Sequence, residues 1–445
     1  MTPHLILLAL AAAPAQQRDT LELAALQDAA VRRDPRGEQF ALQRQAAGLR
    51  LRSIDSEIYP GLRSAAEVTR QSETVSIPVQ LPGGQSIPAP SRTRYRVTVD
   101  AEERFYDPGR GPRRDVERAR LAESEAGIRA DLFGLRDEVN GAFFGALLAQ
   151  ERGREQELLA TDLEARLAEM RSRMRAGTAL AGDAATIEAQ LIATRQERAA
   201  ADADRRAALA VLGDLTGAAV GDGAVLALPA LAAAVERTRA AGGEGTAVRA
   251  RPEYERFGAT RARLGREAAA SGSALLPHAS ATGQLGWGLS PRAAFDDDPK
   301  LFGQLGVRVE WAPWDWGRTR RQQRELALQQ QVVTTQEADL TRRLRRQVED
   351  DVREIDRLAA ALYDDERVVA LRQTIEAEAR AQLREGVLAT STYVDRRTDV
   401  SSARVRRATH AVQLAQARAR YLTTLGVPLP RGGATEITIT GGGGR

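Results

Sequence analysis

The chain of 445 residues has no cysteine, which excludes disulfides, thiolate metal sites and an acylated N-terminal cysteine as an anchor. Charge of one sign is also missing. Basic and acidic residues, 64 against 60, are interleaved without a block of five or six like charges, which argues against nucleic acid as a partner. Lys300 is the only lysine, so the basic residues are almost all arginine. After the N-terminal segment no run of eighteen apolar residues occurs, so no transmembrane helix is expected. Only helices and closed barrels satisfy backbone polar groups in lipid, so if this chain spans a membrane it spans as β. The three histidines, His4, His278 and His410, are far apart, and Gly109-Arg-Gly-Pro lacks the Gly-Lys-Ser/Thr end of a phosphate loop. No nucleophile–base spacing stands out, so neither an enzyme nor a cofactor or metal site is read. Asp296-Asp-Asp298, without the rest of a calcium-loop pattern, reads as a solvated tip.

What is present is a change of period. From Pro277, Ala279, Ala281, Leu285, Trp287 and Leu289 alternate with His278, Ser280, Thr282 and Gln284. After a polar loop, Leu301, Leu305, Val307, Val309 and Trp311 alternate with Gln304, Arg308 and Glu310. Each strand has about the 9–11 residues that a tilted strand needs to cross a bilayer. Trp311-Ala-Pro-Trp-Asp-Trp-Gly317 then leads into more than a hundred residues without proline.

The same arrangement occurs earlier. Gly61 to Val68 and Tyr95 to Ala101 alternate as strands, and Phe105-Tyr-Asp-Pro-Gly-Arg110 answers Trp314-Asp-Trp-Gly-Arg318. Asp107 and Gly109 precede Asp315 and Gly317 by 208 positions; Pro35 and Pro60 precede Pro252 and Pro277 by 217. The drift is taken up in the hairpin tips, of which 71–91 is longer than 291–300. A unit of helix, strand, strand and long helical run is thus duplicated.

From Arg113 to Leu228, apolar residues recur at threes and fours, as in Leu132, Leu135, Val139, Phe143 and Leu147, and then Leu159, Leu163, Leu167 and Met170. Leu340, Leu344, Val348, Val352, Ile355, Leu358 and Leu362 repeat the pattern, the period of coiled-coil packing. Each run is interrupted near its middle, at Arg175-Ala-Gly-Thr-Ala-Leu-Ala-Gly-Asp183 and Arg384-Glu-Gly-Val-Leu-Ala-Thr-Ser-Thr392, where a helix-to-helix turn is expected. An arm of about sixty residues reaches on the order of 90 Å. Leu215-Thr-Gly217 and Thr424-Leu-Gly426 end the two runs.

Residues 1–15, an apolar stretch closing in Ala13-Pro-Ala15, read as a secretory signal, with a buried N-terminal helix as the alternative. The organisation expected is a first repeat at 16–217 (strands 61–70 and 93–105, helices 113–213) and a connection at 218–248. A second repeat follows at 249–428 (strands 278–290 and 301–311, helices 317–425), then a flexible tail at 429–445. Four membrane-length strands cannot close a barrel, since about eight are needed, so oligomerisation follows from the strand count.

In this duplicated plan, its strand-to-helix junction Trp314-Asp-Trp-Gly-Arg318 and its Gly177 and Gly386 turns, the chain resembles the TolC family of outer-membrane efflux proteins over about residues 19–428. The resemblance implies an α+β membrane protein: a homotrimer whose twelve-stranded transmembrane β-barrel, set in outer-membrane lipid, continues as a long periplasmic α-helical barrel. It implies an exit duct of a tripartite efflux or type I secretion system, docked to a periplasmic adaptor (membrane fusion) protein. The inner-membrane pump would be of resistance-nodulation-division, ABC or related type. By resemblance, Asp183 and Asp395 stand where acidic rings close the periplasmic entrance. Thr392 occupies a further, often acidic, gate position, and Leu383 and Leu388 replace residues that can latch the closed state. Asp183 reads equally as a helix N-cap and Asp395 as part of a solvated helix face. Gly177 and Gly386 are candidate adaptor-contact turns, or turn geometry alone. Trp311, Trp314, Trp316, Phe105 and Tyr106 read either as a membrane-interface belt or as junction packing. The competing class is an exported or cytosolic coiled-coil scaffold without channel activity.

Overall fold

A computed structural model of the chain describes residues 20–73, 92–217, 220–241, 248–289, 298–431 and 434–435. The expected signal segment, the hairpin-tip residues 74–91 and 290–297, and most of the expected tail lie outside them.

The strands are β1 (Thr20–Leu21), β2 (Gly61–Arg70), β3 (Thr93–Tyr106), β4 (Val225–Leu226), β5 (Leu228–Pro229), β6 (His278–Gly288), β7 (Lys300–Glu310) and β8 (Ala434–Thr435). The α-helices are α1 (Leu23–Arg33), α2 (Gln39–Ser56), α3 (Arg110–Arg175), α4 (Ala181–Thr216), α5 (Ala232–Ala240), α6 (Pro252–Gly272), α7 (Arg318–Arg384) and α8 (Thr390–Thr424). They fall into two units, each taking residues from both repeats. One comprises Glu38–Ile128 and Glu255–Ala338; the other comprises Met1–Gly37, Arg129–Tyr254 and Asp339–Arg445.

The first unit holds a four-stranded antiparallel sheet in the order β2-β3-β6-β7. Its register sets Val68 beside Tyr95, Ala66 beside Val97, Val97 beside Trp287 and Leu285 beside Gly303. One face is therefore apolar across all four strands: Leu62 and Val68, then Tyr95, Val97 and Val99, then Leu285 and Trp287, then Leu301, Leu305, Val307 and Val309. The opposite face is polar and tied across the strands. Arg96 pairs with Glu67 at 2.5 Å, Gln284 donates to Asp100 at 2.6 Å, and His278 lies 2.9 Å from Glu310. A bulge between Glu103 and Tyr106 shifts the β3–β6 register and sets Tyr106 opposite Ala279, at the end of the apolar face. Helix α2 is tied to α3 by Arg44–Glu125 and Arg50–Glu117, α3 to α6 by Arg263–Glu123, and α6 to α7 by Arg261–Glu337.

The second unit carries the larger core. Leu23, Leu26 and Ala30 of α1 pack with Val139, Phe143 and Leu147 of α3, Leu209 and Leu212 of α4, and Tyr421 and Leu422 of α8. A buried polar chain crosses it: the Gln27 amide donates to Asn140 Oδ1 (2.7 Å), and Asn140 Nδ2 donates to Thr423 Oγ1 (3.3 Å). The two helices that close the repeats end alike. Arg33 donates to the carbonyls of Thr216 and Gly217 past α4, and Arg251 donates to those of Thr423 and Thr424 at the end of α8.

Short bridges add to the expected organisation. The segment 218–248 is not only a connection, since β4 pairs in parallel with β1 and β5 pairs with β8. The tail is not wholly detached, because β8 lies within it and Arg431 pairs with Asp28 at 2.5 Å. Two-residue bridges are too short to show an alternating pattern, so composition alone suggested a free end.

Candidate functional site

The turns between the long helices are built identically in the two repeats. After α3, Gly177 takes φ +73°, its N–H donates to Met174 O (3.0 Å), and Thr178 N–H donates to Arg173 O (2.9 Å). After α7, Gly386 takes φ +74°, with Gly386 N–H on Leu383 O (3.2 Å) and Val387 N–H on Gln382 O (3.0 Å). This is the left-handed glycine stop that satisfies the last helix carbonyls, and its positive φ favours a residue without Cβ. The chain then re-enters a helix at Ala181 and at Thr390.

Asp183 is not an N-cap. Leu180 and Ala389 occupy the N-cap positions and neither makes a side-chain cap, so Asp183 is the third residue of α4 and Thr392 the third of α8. Asp183 and Thr392 are thus structural equivalents, and Asp395 lies one turn further along. Asp183 is half-buried and Asp395 exposed, and neither carboxylate has a hydrogen bond or ion pair among the described residues. The two helices meet beside these positions, where Ala184 and Ile187 cluster with Val394. Next to the turns, Leu180 and Val387 are each 76% exposed.

A polar lattice near these turns went unread in the sequence. Tyr393 is fully buried, its hydroxyl donates to Glu376 Oε1 (3.2 Å), and Arg166 lies over its ring with the guanidinium carbon 5.4 Å from the centroid. Arg380 pairs with the same Glu376 (2.8 Å), while Arg397 reaches Asp162 at 3.0 Å. Burial chiefly, with the negative charges of Asp162 and Glu376, pushes the Tyr393 hydroxyl above its ordinary pKa. The lattice joins α3, α7 and α8 although Leu383 and Leu388 are apolar. Its only signal in the sequence is a lone aromatic just past a glycine turn.

The strand-to-helix junctions lie in the sheet-bearing unit. At the first, Asp107 accepts the Gly109 N–H (2.8 Å) and pairs with Arg113 (2.8 Å). Burial alone would raise the Asp107 pKa, but Arg113 and the Gly109 N–H outweigh it and lower it. At the second, Asp315 accepts the N–H groups of Gly317 (2.9 Å) and Thr319 (2.7 Å). Hydrogen bonds from Thr319, then from Gly317, bring its pKa down to about 2. Trp311, Trp314 and Trp316 are 63%, 72% and 81% exposed, and Phe105 and Tyr106 are exposed as well, while Trp311 Nε1 donates to Leu275 O (3.1 Å) and Trp314 lies edge-on to Trp316.

No family model matches the chain, and no curated protein matches it. Solved structures do. The chain superposes on CusC, a protein studied for its folding and transmembrane channel formation, with TM-score 0.64 at 15% identity, over 91% of this chain and 92% of that one. The chain has the outer-membrane channel fold. The outer-membrane channel OprN matches with TM-score 0.65 at 16% identity over 92% and 93% of the two chains. The open-state outer-membrane channel MtrE of Neisseria gonorrhoeae matches with TM-score 0.63 at 16% identity over 97% and 99%. The resemblance carried by the duplicated plan thus holds for the fold over nearly the whole chain.

Proposed function

We propose that the chain is an outer-membrane factor of the TolC family, a passive exit duct for an efflux or type I secretion assembly. The observation that carries this is the four-stranded sheet. Its apolar face is open, with Leu62, Val68 and Leu301 each more than 75% exposed and Leu305 at 91%, while its polar face is cross-linked by ion pairs and hydrogen bonds. A soluble sheet buries that face, whereas a transmembrane barrel turns it to lipid. β2 and β7 each have one strand partner among the described residues, so three copies joined edge to edge give twelve strands and no open edge.

The duct then sits in the outer membrane with a large periplasmic portion and receives cargo from a periplasmic adaptor and an inner-membrane pump. The Gly177 and Gly386 turns, flanked by exposed Leu180 and Val387, are the surfaces on which the adaptor docks. Asp183 and Asp395 each become a ring of three carboxylates at the entrance, with Thr392 as the neutral counterpart of Asp183. The deciding experiment is fractionation of cells expressing the full chain, followed by light scattering of the outer-membrane extract in mild detergent. A trimer in that fraction supports the duct. A soluble monomer or dimer overturns it in favour of a scaffold.

A further inference from the structure

The two strand-to-helix junctions share one origin in the repeat but differ in charge. At the first, Arg110, the counterpart of Arg318, donates to the Arg104 carbonyl (3.2 Å), and the next four arginines are neutralised by the chain itself: Arg113 by Glu57 and Asp107, Arg114 by Asp55 (3.2 Å), Arg118 by Asp115 (3.1 Å) and Arg120 by Glu117 (2.8 Å). At the second, Arg318, Arg320, Arg321 and Arg324 are all exposed, and none pairs with a carboxylate among the described residues. The repeat explains the contrast. Where the first copy has Asp55, Glu57 and Asp115, the second has Gly272, Ala274 and Gln323. Arg321, the counterpart of Arg113, donates instead to the Trp316 carbonyl (3.1 Å), because the N–H groups of Gly317 and Thr319 occupy Asp315.

The aromatic residues differ in the same place. Trp316 holds φ +55°, a left-handed conformation unusual for a bulky residue, where the first junction has Pro108, whose ring forbids it. That backbone sets the Trp316 ring edge-on to Trp314, with centroids 5.9 Å apart and planes at 90°. Trp311 continues the apolar row of Val307 and Val309. Exposed indole rings that prolong a lipid-facing row, followed directly by four exposed guanidinium groups that no carboxylate bridges among the described residues, match the layered chemistry of a bilayer surface carrying phosphate.

We propose that this second junction is a binding surface for the phosphate headgroup of an anionic phospholipid, and that the first junction is not. Guanidinium groups clamp phosphate in a fork, and the tryptophans select a lipid over free phosphate. The inference rests on the membrane reading above. The test uses the full chain with Trp287→Phe, which leaves Trp311, Trp314 and Trp316 as reporters. It is reconstituted in phosphatidylcholine vesicles in which either phosphatidylcholine or phosphatidylglycerol carries brominated acyl chains.

The expected result is quenching by brominated phosphatidylglycerol at about a tenth of the mole fraction that brominated phosphatidylcholine requires. R318Q/R320Q/R321Q/R324Q removes the preference but keeps quenching by phosphatidylcholine, while R114Q/R118Q in the first junction leaves the preference intact. Equal quenching of the unmutated arginine set by both lipids overturns the headgroup site and leaves the barrel standing; carboxylates of a neighbouring copy would give that outcome. A preference abolished by millimolar inorganic phosphate overturns the choice of lipid. No quenching by either lipid overturns the membrane reading itself.

Discussion

Asp351 is fully buried, and three groups hold it: Arg420 Nε at 2.5 Å and the Gln347 amide at 2.9 Å on one oxygen, and the Thr424 hydroxyl at 3.2 Å on the other. Replacing it by alanine strands the Thr424 hydroxyl beside a small cavity, but Arg420, 45% exposed, can rehydrate. The cost therefore falls below the ~3–5 kcal/mol of a fully buried broken pair, at about 2–3 kcal/mol. A thermal melt of D351A in detergent should show it, and D351N, which keeps the shape, should lose less. Asp315 supplies a pH test. Its pKa is depressed to about 2 from an ordinary value of 3.8, so its contribution is complete above about pH 4 and is lost as the pH falls towards 2. Tryptophan emission from the junction should change over that window, and in D315N the transition should be absent. Neither residue was legible beforehand. Asp351 occurs in the run Glu349-Asp-Asp351, which reads as solvated charge, and two of its three partners, Arg420 and Thr424, arrive from α8, some seventy positions later.

Among elements, the change of period and the glycine stops were readable because both are local. An alternating strand, a helical repeat and a left-handed glycine each depend on a handful of consecutive residues. Gly177 and Gly386 have open space where a Cβ would stand, so substitution meets only the backbone cost of φ above +70°. G177A and G386A should each lower stability by about 1 kcal/mol, seen as a shift of the melting midpoint with no change in oligomeric mass. Gly288 and Gly286 differ. A Cβ on Gly288, at φ +136°, would lie 2.3 Å from Tyr95 O, and one on Gly286 would lie 2.3 Å from the Phe302 ring. G288A and G286A should therefore disturb pairing of β6 with β3 and with β7, lowering the yield of membrane-inserted protein well beyond the effect of the turn mutants. These glycines alternate with apolar residues in the sequence and look interchangeable, since neither the ring over one nor the carbonyl under the other comes from nearby residues. The Asp183 position failed for a related reason. An aspartate before an alanine-rich helix suggests a cap, but the helix already starts at Ala181, within the Ala-Gly pair that precedes it.

For the whole molecule, the repeat and the strand count carry the expectation of an oligomer, and the sheet gives it a geometry that can be tested. The absence of cysteine makes every engineered pair unambiguous. If β2 of one copy hydrogen-bonds β7 of the next, a cysteine at Ser64 or Ala66 should cross-link to one of a set placed singly along Gly303 to Val309 of the same chain. The partners will lie on one face, two residues apart, because neighbouring side chains alternate. Under oxidation, denaturing gels should then show a dimer and a trimer and nothing larger, because a ring of three consumes every edge. A ladder running past three would mean that the edges pair without closing. No cross-link at any register would mean that β2 and β7 remain edges, and the twelve-stranded barrel would have to be abandoned.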